Sequence, residues 1–540
     1  MDLGFRQAGF EVVFAADFDK ASVDTYNRNS EKQVAHCLDL AEIKNSKLID
    51  LVEKQLKSVR PRGVIGGPPC QAFSLANVAP KRNDPRKRLL ARYAEILALL
   101  NSRFDLDFFV FENVGGIKLK RNIRFFRRTV RQFQNAGFNV FETELDAFQF
   151  GVAQKRRRVF VVGFNSRRFP CLPFEFPLGV PGNPKTVKDV IGRLNAPAFY
   201  SRGLAKKSIP EHINHWAMQP KSRKFSTAFS KPGRSFRRLE WDKPSWTVAY
   251  GNREMHVHPS GRRRVSVFEA MLLQGFPESY QLHGSFSEQV SQVSNAVPPP
   301  LAHAIAEKIR YRLYDLPVRI QDLLTDWQRR NGRIFPWRRT SDLYKLLVAE
   351  KLLQQTAASS EVLKAYSTLI GNYPTVKALS SARLETIREI FQPLGLQYRA
   401  NELLKLARHI RRQHRSRVPE SLLELLKLPG IGDYSARALL CFGRGKRIPI
   451  VDANIARFLI RFFALPIAMP TNPARHRGLR ELADHLVPEK CPGTFNFALL
   501  DLCASACTAR SPKCSKCPLR TECAFAIIAE NNRHTKPNAA

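Results

Sequence analysis

Acidic residues are scarce in this 540-residue chain: 47 Asp and Glu stand against 87 Lys and Arg, a formal charge of +40. That imbalance points to a polyanionic partner, nucleic acid ahead of an anionic membrane surface. Long apolar runs are missing. No window approaches the ~18 consecutive apolar residues that a membrane span requires, so no membrane partner is expected. A basic-then-apolar leader is also missing, because Met1 is followed by Asp2 and a mixed segment, and the protein is expected to stay in the cell with reduced thiols. Cysteine is thin and uneven, ten in all. Cys37, Cys70 and Cys171 are scattered, whereas Cys503, Cys507, Cys514, Cys517 and Cys523 crowd the end. In a reducing compartment such crowding reads as a metal site rather than as disulfides.

What is present is the composition of a folded globular chain, 44% hydrophobic and 25% charged, long enough for two to four domains. The first ~165 residues alternate short apolar runs with helical patterns. Gly63-Val64-Ile65, Phe108-Phe109-Val110-Phe111 and Val159-Phe160-Val161-Val162 are such runs, and they suggest an α/β sheet. Residues 166–260 dissolve into Pro-, Ser- and Arg-rich sequence and read as a small irregular insert. Helical patterns return over 261–313 and complete the first unit with 1–165. A connector is expected at 314–322, a helical unit at 323–500, a cysteine-bearing loop at 501–526 and a disordered tail at 527–540.

In the front unit the strand Val64-Ile65 opens into Gly66-Gly67-Pro68-Pro69-Cys70-Gln71-Ala72-Phe73-Ser74. Ligands gather beyond the carboxyl ends of strands in open α/β sheets, so a thiol on this loop is placed for chemistry. A second strand, Phe108 to Phe111, leads into Glu112-Asn113-Val114 and delivers a carboxyl group to the same edge. Gln154-Lys155-Arg156-Arg157-Arg158 precedes a third strand. Taken alone, each is compatible with an ordinary structural role.

Together these segments resemble the DNA cytosine-5 methyltransferases, whose Pro-Cys-Gln, Glu-Asn-Val and Gln-x-Arg-x-Arg motifs occur here in the family's order. The likeness continues through Asp84-Pro85-Arg86, Gln274-Gly275-Phe276-Pro277 and Ser294-Asn295-Ala296-Val297-Pro298-Pro299. It implies a Rossmann-like catalytic core with 166–260 as the target recognition region. It also implies that Cys70 adds to carbon 6 of a flipped-out cytosine while Glu112 holds N3 protonated. Arg158 would fix the base and Arg156 its surroundings, and Gln71 and Ser74 would belong to the DNA-contacting loop. The implied donor is S-adenosylmethionine, held by Asp17, Phe18, Asp39, Pro68 and Asn295. Family members begin with a strand and a Phe-x-Gly-x-Gly-Gly turn around the donor's methionine part. This chain starts just after that point, at Met1-Asp2-Leu3-Gly4-Phe5. A misplaced start codon is the expectation, and an inactive, DNA-binding methylase half is the alternative.

In the rear part, Leu422 to Leu428 stops at Pro429-Gly430-Ile431-Gly432 before a new helix, a turn whose backbone amides at Gly430 and Gly432 can meet a DNA phosphate. Asp452 follows an apolar approach at the start of another helix, where an Asp ordinarily serves as an N-cap. Cys507, Cys514, Cys517 and Cys523, spaced C-x6-C-x2-C-x5-C, can hold zinc or an iron-sulfur cluster. The combination resembles the helix-hairpin-helix glycosylases of the endonuclease III and adenine glycosylase superfamily, which implies an all-helical fold with a [4Fe-4S] cluster. Asp452 then matches the catalytic aspartate and Glu350 a pocket carboxylate. Tyr434 stands where bifunctional relatives carry a Schiff-base Lys, so a monofunctional enzyme is expected. Tyr at that position is shared with the thymine glycosylases that act on T:G mismatches, whereas adenine glycosylases commonly show Ser there. A methylase fused to an adenine glycosylase is the rival reading. The resemblances imply double-stranded DNA with a flipped target base as partner, a cognate restriction endonuclease beside it, a monomeric state and a nucleoid-associated place in a prokaryotic cytoplasm.

Overall fold

The computed structural model describes residues 1–69, 73, 88–180, 185–201, 205–222, 225, 237–247, 256–395 and 397–534. Cys70, Gln71 and Ser74, like Asp84-Pro85-Arg86, lie outside the described residues. The chain forms two compact units. The first is Met1–Arg167 with Phe174–Arg312; the second is Leu313–Ala540 with the short segment Arg168–Pro173. That segment, expected in the recognition insert, thus belongs to the rear unit, where Phe169 meets the His485 ring edge-on.

In the front unit, helices α1 (Asp2–Gln7), α2 (Lys20–Arg28), α3 (Asn45–Leu56), α4 (Arg88–Phe104) and α5 (Ile123–Asn135) accompany ten short or medium strands. The strands are β1 (Ala15–Asp17), β2 (Ala35–Cys37), β3 (Gly63–Gly66), β4 (Phe108–Val114), β5 (Phe138–Asp146), β6 (Gln154–Lys155), β7 (Arg157–Asn165), β8 (Ala198–Phe199), β9 (Trp216–Ala217) and β10 (Ser245–Trp246). The main sheet runs β3-β4-β7-β5. β3 is parallel to β4, while β7 lies antiparallel to both β4 and β5. A separate parallel pair joins β1 to β2. The α/β reading therefore holds, with a mixed sheet.

β4 is buried along nearly its whole length, as expected of a strand covered on both faces. Phe109, Phe111, Phe126 and Phe133 form a core with Leu90, Leu97 and Val161, into which α4 and α5 pack their apolar faces. Burying each such ring stabilises by about 2 kcal/mol. This packing fixes where β3 and β4 end, and hence where their loops emerge. The insert is sparse, with the two-residue ladders β8–β9 and β10–β6 and the helix Val187–Ile191, closed by a capping box at Thr186.

The rear unit is helical, with no strand among its described residues. A large core gathers Leu347, Leu352, Leu369, Phe391, Leu403, Leu425 and Leu439 from successive helices. Two expectations need correction. No irregular connector occupies 314–322: Tyr311–Asp315 is π-helical and Leu316–Asn331 α-helical, with Leu316, Pro317, Ile320 and Leu324 buried. An apolar face that finds a core overrides the connector signal of Leu316-Pro317, since Pro is tolerated in a first helical turn. The tail, expected from 527, is helical through His534 as part of Ala524–His534. No helix among the described residues is long and apolar enough to cross a membrane.

Two candidate active sites and a cysteine cluster

Parallel pairing of β3 with β4, Gly66 opposite Phe111, sets the Gly67-Pro68 turn beside Glu112. A Cβ at Gly67 would lie 2.9 Å from Glu112 Oε2, so only glycine lets the carboxylate come this close to the loop backbone. Asn113 Nδ2 donates to the Pro68 carbonyl at 3.2 Å, tying the turn to the strand end. From the antiparallel neighbour β7, Arg158 Nε donates to Glu112 Oε1 at 2.9 Å, with both side chains only 9% exposed. The result is a carboxylate oriented by a nearly buried guanidinium, next to the strand end that leads into Cys70. Such a carboxylate can hold a hydrogen bond to a ring nitrogen without needing to be re-oriented.

Arg156 does something else. Its guanidinium donates to the carbonyls of Ser294 and Ala296 at 2.7 and 2.9 Å, across 138 and 140 residues of sequence. Gln274 Nε2 donates to the Val293 and Ala296 carbonyls. Both clamp the turn that carries Asn295, so Arg156 is a positioning residue rather than a group at the reacting atoms. Sequence spacing could not separate it from Arg158, because two arginines two positions apart on an extended stretch look alike, and only the fold sets Arg156 ahead of β7 and Arg158 within it.

The residues expected at the donor converge in part. β1 ends in Asp17, Phe18 follows, and Asp39 comes just after the end of β2, parallel to β1 with Asp17 opposite Cys37. The Leu38 amide donates to the Asp17 carbonyl at 2.8 Å. Phe18 is 71% exposed, a costly position for a phenyl ring unless a flat group covers it. Two carboxylates flanking an exposed ring at the ends of parallel strands fit a nucleoside, with hydroxyls for Asp17, a base face for Phe18 and an amino group for Asp39. Asn295 is exposed at the end of the helix Phe286–Asn295.

In the rear unit Asp452 caps the helix Ala453–Phe462, accepting from the Ile455 amide at 2.7 Å, while its other oxygen accepts from Asn454 Nδ2 at 2.9 Å. The N-cap role is therefore real. It also aims the carboxylate, which electrostatically faces Glu350 and Tyr434. Burial raises the Glu350 carboxyl to about 8, opposed by a hydrogen bond with Ser435 and reinforced by the Asp452 charge. Burial first, then these two carboxylates, pushes Tyr434 well above the ordinary phenol range, so it stays a neutral phenol. Within electrostatic reach of one another thus stand a protonated acid, a second carboxylate and a phenol.

A pH dependence follows from Glu350. Its raised value keeps the proton on through neutrality, so base release is expected to fall along a basic limb centred near pH 8. Glu350→Gln should lower the rate and remove that limb, read from single-turnover rates over the pH range. The same shift means that folding takes up a proton between about 4.5 and about 8, so the contribution of Glu350 to fold stability declines as pH rises through that window.

Before the helix Asp433–Arg444, Gly430 adopts φ +71 and a Cβ there would lie 2.7 Å from Lys351 Nζ, whereas a Cβ at Gly432 would meet open space. Lys351 is fully buried and donates to the Gly430 carbonyl at 3.0 Å, to Gln354 Oε1 and to Glu402 Oε2. It holds the hairpin so that the Gly432 side stays open to a phosphate. The sequence reading missed Lys351, although a lysine inside the apolar helix Leu343–Leu353 was a signal that a buried acceptor awaited it.

Cys507, Cys514, Cys517 and Cys523 line one cavity with Phe458, Phe462 and Phe525. Burial, then the neighbouring cysteines, pushes the Cys517 thiol up to about 12. Four sulfurs held this close would lose their protons only to a cationic centre. These four surround a common space, as a multi-iron cluster requires. Arg461 adds positive charge, Nη1 lying 3.8 Å from Cys507 Sγ while it donates to the Thr508 and Ala509 carbonyls. The donor set fits an iron-sulfur cluster.

Comparison with known proteins gives three family matches: C-5 cytosine-specific DNA methylase over residues 1–311, HhH-GPD superfamily base excision DNA repair protein over 348–483, and the iron-sulfur binding domain of endonuclease III over 507–523. A Type II methyltransferase of Fusobacterium nucleatum, M.FnuDI, is 34% identical over 58% of this chain and 92% of its own length. A thymine-DNA glycosylase of Aeropyrum pernix is 37% identical over 37% of this chain and 92% of its own. A thymine/uracil-DNA glycosylase of Pyrobaculum aerophilum is 36% identical over 38% and 91%.

Proposed function

We propose, from the premise that this chain belongs to the C-5 cytosine-specific DNA methylase family through residues 1–311 and to the HhH-GPD superfamily through 348–483, that it both methylates cytosine in duplex DNA and removes thymine or uracil mispaired with guanine. Carbon 5 of cytosine is a poor nucleophile until a thiolate adds at carbon 6, and Cys70 is the residue assigned that addition. Glu112, held by Arg158, keeps N3 of the flipped base protonated and relieves the negative charge that attack drives into the ring. S-adenosylmethionine supplies the methyl group when bound, with Asp17, Phe18, Asp39, Pro68 and Asn295 as the residues to hold it.

In the rear pocket the departing base leaves positive charge on the sugar, which the Asp452 carboxylate stabilises as in glycoside hydrolysis. Glu350, carrying a proton at neutral pH, is suited to hydrogen-bond the leaving base. Tyr434 has no amine with which to form a Schiff base, so the sugar is left uncleaved. Gly430 and Gly432 meet the DNA backbone. The iron-sulfur cluster held by Cys507, Cys514, Cys517 and Cys523 clamps the last loop.

The observation that carries the reading is the electrostatic grouping of Glu350, Tyr434 and Asp452, a set without a lysine nucleophile among the three. Its relatives include thymine and thymine/uracil glycosylases, and uracil is thymine without its methyl group, so a thymine pocket admits it. The two halves then have a common logic. Deaminated 5-methylcytosine is thymine opposite guanine, the hazard that the front half creates. Duplexes carrying T:G, U:G and adenine opposite 8-oxoguanine test the substrate. Free thymine and uracil are expected without strand cleavage, and release of adenine alone would overturn the reading.

A further inference from the structure

We infer that the exposed arginine ridge of α5 is a binding site for the backbone of duplex DNA, additional to the cleft in which the target base is handled. Arg124, Arg127, Arg128 and Arg131 line a surface hollow of about 340 Å3 on this helix. All four are exposed, and Lys120 and Arg121 extend the charge just ahead of the helix, likewise exposed. The opposite face carries Phe126, Thr129 and Phe133 into the core, so the helix is fixed in rotation and the arginines cannot turn inward.

The placement works against the helix itself. Every pair of these arginines three or four positions apart repels, and Arg124 stands in the first turn, where the macrodipole disfavours cations and where this helix has no acidic residue. Little compensates within the fold. Glu142 pairs with Arg127 and also with Lys118, each at 3.4 Å; Arg124, Arg128 and Arg131 have no carboxylate partner among the described residues. A charge pattern that destabilises its own helix calls for an external polyanion. At 1.5 Å per residue the ridge from Arg124 to Arg131 is about 10 Å long, and one DNA strand presents a phosphate every ~3.4 Å of axis. The ridge therefore matches about three phosphates of one strand.

The ridge also lies beside the segment that follows Cys70 in sequence. The Phe125 ring, next to Arg124, packs at 5.7 Å from that of Phe73, three positions after Cys70 in sequence. Backbone held on α5 would flank the duplex from which the target base is drawn. Guanidinium forks suit phosphate, and phosphate contacts position without reading sequence.

The inference rests on DNA being the substrate, and the test separates the two. Binding of the full chain to a random-sequence duplex is measured against salt concentration for the wild type, the triple variant Arg124→Gln, Arg128→Gln, Arg131→Gln, and the matching triple Lys variant. The log–log salt slope of the Gln variant is expected to fall by about 2 to 3, at ~0.9 for each phosphate no longer neutralised, with the Lys variant close to wild type and the Gln variant melting no lower than wild type, since like-charge repulsion along the helix is relieved. An unchanged slope in the Gln variant overturns the ridge as a DNA site, as does binding of the wild type, but not the Gln variant, to phosphatidylserine vesicles with equal duplex slopes. A wild-type chain that binds no duplex at all would instead sink the DNA reading on which the inference stands.

Discussion

Asp452→Asn is expected to reduce thymine release from a T:G duplex by roughly 10²–10³-fold or more, the scale on which a single electrostatic stabiliser acts, while duplex affinity changes little. The reason lies in the two functions of this side chain. As an N-cap it accepts from the Ile455 amide at 2.7 Å, and Asn caps a helix about as well as Asp, so the helix Ala453–Phe462 and the fold should survive. What Asn cannot supply is the negative charge that faces the sugar cation. Asp452→Ala removes both functions and should cost about 1 kcal/mol of stability in addition. A single-turnover assay beside a melting curve separates them. Near-normal release by the Asn variant would remove Asp452 from the chemistry and leave it a cap.

Cys70→Ser is the front counterpart. A hydroxyl is a far weaker nucleophile than a thiolate, so transfer of labelled methyl groups to DNA should fall by at least ~10³-fold, with thymine release unaffected. Glu112→Gln tests the partner in the structure: Gln can still accept from Arg158 but carries no charge, and loss of proton handling at N3 should cost roughly 10²–10⁴-fold. Because Glu112 and Arg158 are both only 9% exposed, the Gln variant leaves the guanidinium near a neutral partner, and a modest drop in melting temperature is expected with it. Methyl transfer by Cys70→Ser at the wild-type rate would refute the thiolate mechanism.

Much of this site was legible because its chemistry is local in sequence. The strand-then-loop runs around Val64 and Phe109, the Asp452 cap position and the cysteine spacing each depend on a few neighbouring residues. What was not legible depends on contacts across long stretches of chain. The antiparallel insertion of β7 between β4 and β5 sets Arg158 on Glu112, and nothing in Gln154 to Arg158 says which arginine will reach it. Arg156 meets carbonyls about 140 residues away. Lys351 becomes a hairpin lock only when the Gly430 carbonyl is folded against it. Glu350 was found by resemblance, but its proton comes from burial, which no sequence pattern states. The helical path through 311–331 hid behind Pro317 and a polar stretch that looked like a connector.

The linkage of the two halves is tested most directly by thymine release in context. The cytosine that the chain methylates is first mapped, and that position is then replaced by thymine opposite guanine in a duplex, beside the same mismatch in a scrambled surrounding sequence. The account predicts faster release of thymine, with the strand intact, at the mapped position. Release of no thymine from either duplex, or equal release in both, would contradict the claim that one half repairs what the other half's product becomes.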